Sequence, residues 1–124
     1  MSNQEQIALL QQGIVKRWNT WRQAHPDLPL DLDEADLSGF YLGGFNLSHA
    51  HLRGANLSET DVNNADLSYA ILSGANLERA NLASADLRNA DFRGANLSET
   101  FLRGANLWEA IITSDQLKQA RARR

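Results

Sequence analysis

From Leu30 to Ile112 an apolar residue returns at every fifth position. The centres are Leu32, Leu37 and every fifth residue after them to Leu107 and Ile112, with Val62 and Phe92 the other departures from leucine. Counting (112 − 32)/5 + 1 gives 17 unbroken units, an internal repeat whose period restricts the fold before anything else is considered. In an α-helix five residues advance about 500°, so the centres would scatter around the circumference instead of forming a stripe. In a continuous strand an odd period sends successive centres to opposite faces. Each unit must therefore turn a corner.

The rest of the unit shows how. Two positions before the centre stands Ala in 12 of the 17 units, and between the two stands Asp or Asn, again in 12 of 17. Ala in, Asp or Asn out, Leu in, then two bending residues returns the next Ala to the interior. Gly occupies the second bending position at residues 39, 44, 54, 74, 94 and 104, where a positive φ is useful. Asp and Asn can hold such bends by bonding nearby backbone groups. GANL begins at Gly54, Gly74 and Gly94, offset by 20, and RGANLSET at Arg53 recurs at Arg93, offset by 40. Twenty residues are four sides, which predicts a square coil.

With A(D/N)LXX as its unit, the chain resembles the pentapeptide-repeat proteins over about two-thirds of its length. The resemblance implies an all-β solenoid, a right-handed quadrilateral β-helix of about four coils. It is similar to the small members abundant in cyanobacteria, and the family has no common biochemical activity.

The chain divides by pattern into residues 1–29, an N-terminal capping helix and linker; 30–112, the repeat; and 113–124, a C-terminal cap and basic tail. Ser2 or Asn3 can start the first helix, with Ile7, Leu10, Ile14, Trp18 and Trp21 on one side, and Pro26 and Pro29 end it. Phe40 and Phe45 replace Ala in the first coil, an aromatic floor for Trp18 and Trp21. At the other end Ser114 can cap a short helix in which Leu117 keeps the five-residue register. Such caps cover the apolar ends and open edges of a solenoid.

Charge and composition exclude several classes of function. Residues 30–112 hold 12 acidic and 5 basic groups (−7), residues 1–29 hold 2 and 3 (+1), and residues 113–124 hold 1 and 4 (+3), which sums to −3. An acidic coil has the wrong sign for phosphate, so direct nucleic-acid binding is not expected. With no cysteine, disulfides and Cys-based metal or nucleophile sites are impossible. The opening MSNQEQIALLQQG carries neither a basic start nor a long apolar run, so a cytoplasmic location without a membrane span is expected.

Little in the chain suggests chemistry. His49 and His51 cluster, with His51 above Asp31 in a square coil, but a metal site needs a third ligand and a supporting shell. No nucleophile is placed beside a base, and the glycines belong to corners. No catalysis, metal or cofactor is expected. Columns 20 apart align Glu59, Arg79 and Glu99, and place Arg88 below Trp108 at cation–π range. Phe101, Trp108 and Ile111 all point outward in the last coil, so Arg88, Phe101, Trp108 and Ile111 are candidates for partner contact unless the C-terminal segment covers them.

The function expected is a noncatalytic interaction or regulatory scaffold, binding a protein partner on rigid flat faces; similar small cyanobacterial proteins have been tied to regulation of cell differentiation. The alternative implied by the resemblance is a DNA mimic that occupies and protects a type II topoisomerase, usually a longer, dimeric acidic rod. Two capped ends would favour a monomer over a dimer.

Overall fold

The computed structural model describes residues 3–120; the basic tail from Arg121 and the candidate helix start Ser2 lie outside them. The repeat forms a four-sided solenoid. Parallel bridges join each Asp/Asn position to the one 20 residues on, from Asp31↔His51 to Asp91↔Ile111. Four full coils and the start of a fifth result, with columns 31-51-71-91-111 on the first face, 36-56-76-96 on the second, 41-61-81-101 on the third and 46-66-86-106 on the fourth. Among the described residues every bridge is a single residue long, because a corner at every fifth residue leaves no room for a longer strand.

One unit accounts for all its backbone donors. Asn76 N donates to Ala55 O in the coil before, Leu77 N to Asn96 O in the coil after, Glu78 N to the Asn76 side chain, Arg79 N to Ser98 O, and Ala80 N to Leu77 O across the corner. The repeat thus meets the requirement that buried N–H groups be paired, and the Asp or Asn serves the one donor the ladder leaves out. The same Asx bond recurs at Asn56, Asp66, Asp91 and Asn96, at 3.0 Å in each.

The corners are type II turns, with a positive φ only at the second bending residue. Glycine takes that position at φ +69° in Gly74, yet ten other residues adopt it too, Glu59 and Tyr69 among them. Left-handed backbone costs a side-chain-bearing residue about 1 kcal/mol or more; at inner corners the ladder holds it there, as where Glu59 N donates to Glu78 O and Tyr69 N to Arg88 O. The Ala and Leu positions form one continuous core from Leu30 to Leu97. Thr60 and Thr100, which replace Ala, are fully buried and donate to Leu37 O and Leu77 O at 2.8 and 2.7 Å.

At the N-terminus the single expected helix is two: α1, Asn3–Gln11, and α2, Val15–Ala24. Gly13 breaks them apart at φ +69°, so Ile14 precedes α2 and is 47% exposed instead of joining the apolar side. Leu10 and Trp18 are fully buried. Trp18 stacks on Phe45 at 6.3 Å and its indole N–H donates to Asn46 O at 2.8 Å.

At the C-terminus α3, Ser114–Gln119, is capped by Thr113, one residue earlier than expected, through a capping box with Gln116. Gln116, not Leu117, turns inward: it is 8% exposed and donates to Phe92 O and Ala95 O, while Leu117 is 44% exposed. A helical residue advances 100°, so the five-residue register stops applying once α3 begins.

Candidate functional site

The four expected contact residues do not form one patch. Arg88 and Trp108 share a column of the fourth face, Ile111 stands on the adjoining first face, and Phe101 is half-buried on the third face, opposite the first. Trp108 is 69% exposed and Ile111 49%, so α3 does not cover them.

The Arg88 guanidinium turns to Asp86, gripping both carboxylate oxygens at 2.8 and 2.7 Å, instead of lying along the Trp108 ring. Its hydrogen bond to Asp86 holds the carboxyl below the usual carboxylate range and raises the arginine. Arg93 grips Asp91 the same way on the first face. The expected charge column forms in part: Arg79 lies 3.8 Å from Glu59 and 3.4 Å from the neighbouring Glu78.

One exposed aromatic belongs beside Trp108 and Ile111. Tyr69, 52% exposed, sits at the corner between the fourth and first faces, and its ring lies flat against His49 at 4.9 Å and 2°. The pair was discoverable, since 49 and 69 are 20 apart at the same corner position. Tyr69, Trp108 and Ile111 therefore flank one edge of the prism.

His51 does pair with Asp31 across a rung, but no group of three or more His, Asp or Glu side chains is arranged to hold a metal among the described residues. No helix of the described residues is long and apolar enough to cross a membrane.

The family model for pentapeptide repeats (8 copies) matches residues 31–69 and 70–108. This chain belongs to the pentapeptide-repeat family. Solved pentapeptide-repeat proteins share its fold, the right-handed quadrilateral β-helix of the family. HetL, involved in heterocyst differentiation regulation in the cyanobacterium Nostoc sp. strain PCC 7120, is 36% identical with TM-score 0.64, over 64% of this chain and 37% of HetL. Rfr23 from the cyanobacterium Cyanothece 51142 is 42% identical with TM-score 0.62, over 64% of this chain and 54% of its own. The protein alr5209 from Nostoc PCC 7120 is 43% identical with TM-score 0.60, over 60% and 62%. The chain thus spans between about a third and two-thirds of these pentapeptide-repeat structures. No match was found among curated proteins.

Proposed function

We propose that this pentapeptide-repeat chain is a noncatalytic protein-interaction module that binds a partner along the edge between its fourth and first faces. Trp108, 69% exposed on a backbone already fixed by the ladder, carries this reading. Large aromatics in a preformed geometry bind with little ordering cost, and Tyr69 and Ile111 extend the same edge. HetL's involvement in heterocyst differentiation regulation fits a module of this kind, acting as a cytoplasmic monomer.

The test is affinity capture of a partner by the wild-type chain and by Trp108→Ala and Ile111→Ser, each checked for an unchanged circular dichroism spectrum. Loss of the partner in the variants supports the edge; retention by both sinks it. The topoisomerase-mimic reading rests on the coil's −7 charge, summed from the sequence. It requires salt-dependent inhibition of gyrase supercoiling and a solution mass above the 13.8 kDa of one chain.

A further inference from the structure

A cleft of about 680 Å³ opens between α2, the linker that follows it, and the first turn of the solenoid, within the usual range for small-molecule sites. Its walls differ in character. Pro26, Leu28, Pro29 and Leu30 supply the apolar part of the lining, and Arg22, Ser48, His49 and His51 the polar part.

Arg22 is the unusual member. It is 8% exposed, and Nη2 donates to Ser48 O at 2.7 Å and Ser48 Oγ at 3.2 Å. Its Nε is buried with no partner, and no carboxylate of the described residues lies within ion-pair distance. Arginine is seldom buried this far unless paired.

Capping explains why a donor is there, but not why it is charged. Carbonyls left open by the first coil are met elsewhere by neutral groups: Asp31 O by the Asn3 amide, Asn46 O by the Trp18 indole and Gly44 O by the Asn19 amide. Among the described residues only Ser48 O is given a guanidinium. Burial lowers the Arg22 pKa, and Asp66 works against that from the next coil.

We propose that the cleft binds a small amphipathic anion, a carboxylate or phosphate monoester on an apolar body, with Arg22, His49 and His51 facing the anion and the proline-bounded linker packing on the apolar part. The anion supplies the opposite charge that Arg22 lacks. The polar wall is preset: Asn46 N donates to Asn19 Oδ1 at 2.7 Å, Ser48 Oγ donates to Asn46 Oδ1 at 2.8 Å, and Tyr69 holds the His49 ring. Asp27 at the rim is the one acidic residue lining the cleft. The cleft meets the aromatic partner edge only through Tyr69, which stacks behind His49; Trp108 and Ile111 do not line it.

The experiment is a titration of the whole chain with phenyl phosphate, with phenylacetate and with inorganic phosphate, followed by NMR of the Arg22 Nε–H and the His49 and His51 rings. Saturable shifts at these groups are expected, with phenyl phosphate binding about tenfold or more tightly than inorganic phosphate because it fills the apolar wall. Arg22→Met should abolish saturation. Because it also uncaps Ser48 and can unfold the end, Leu28→Asp provides the second arm: an exposed linker residue that carries no cap, whose new charge should weaken binding about tenfold at unchanged melting temperature. No saturation by about 10 mM, shifts spread equally over the coil arginines, or a folded Leu28→Asp chain that binds as tightly as wild type would each overturn the proposal.

Discussion

At the N-terminal end two helices of nine and ten residues lie across the first coil, and its centres Leu32, Leu37, Leu42 and Leu47 are at most 1% exposed. At the C-terminal end α3 has six residues, about 9 Å of helix, and Leu102, Leu107 and Ile112 are only partly buried. Both ends replace missing ladder partners with side chains and stray backbone groups: Trp18, Asn19 and Arg22 on the fourth face at one end, Gln116 and the Gln119 carbonyl at the other. Hydrogen-bond replacement and apolar cover are thus separable tasks. A short helix accomplishes the first over part of the end, while the second needs area.

The comparison breaks most sharply at tryptophan. Trp18→Ala removes a fully buried ring, its stack on Phe45 and the bond to Asn46 O, and should cost about 3–5 kcal/mol in urea unfolding. Trp108→Ala, at 69% exposure, should change stability by no more than about 0.5 kcal/mol. Equal losses would mean that the last coil is covered in solution. Leucines of one column give a finer version. Leu47→Ala should cost about 3 kcal/mol and Leu107→Ala, only partly buried, about half that; a Leu107 loss as large as that of Leu47 would put the two ends on the same footing.

The hydrogen-bonding side of the comparison predicts near equality. Asn19→Ala removes bonds to Gly44 O and Asn46 N, and Gln116→Ala removes bonds to Phe92 O and Ala95 O. Each should cost about 1–2 kcal/mol, because polar groups at an edge are left unpaired. If Gln116→Ala proved neutral, α3 would be an ornament on the last coil and not a cap.

What the sequence made legible follows from the same division. The coil is written in a short alphabet, so the Ala and Leu positions, the corner glycines, the Asx residue and the offset of 20 could all be read from spacing. The ends are written once each and have no repetition to average over. The break at Gly13 was missed because Ile7, Leu10, Ile14, Trp18 and Trp21 keep helical spacing through it, and spacing does not register a positive φ. Gln116 was missed because burial of a glutamine depends on two carbonyls left over in the coil, 24 and 21 residues earlier. At the candidate edge, outward direction was readable for Trp108 and Ile111, whereas the choice of Arg88 between a ring 20 residues away and a carboxylate two residues away was not. The nearer bidentate bond wins because it costs less side-chain ordering and gains two charge-assisted contacts.

The smallest effect tests whether charge matters to the coil at all. Arg93 grips Asp91, and the hydrogen bond to Arg93 holds the Asp91 carboxyl below its ordinary range despite partial burial. A depressed folded value means that its contribution is complete above the unfolded value near 3.9 and is lost as the pH falls through the folded value. Asp91→Asn keeps the Asx acceptor, as Asn56 and Asn96 do, and deletes only the ion pair. With Arg93 72% exposed, the loss at neutral pH should be about 0.5 kcal/mol or less, and the fall in stability between about pH 5 and 2 should become shallower. A loss several times larger, or an unchanged acid slope, would show that the carboxylate does more for the corner than an amide can. The motif's tolerance of either Asp or Asn would then need an explanation other than the shared bond to the backbone.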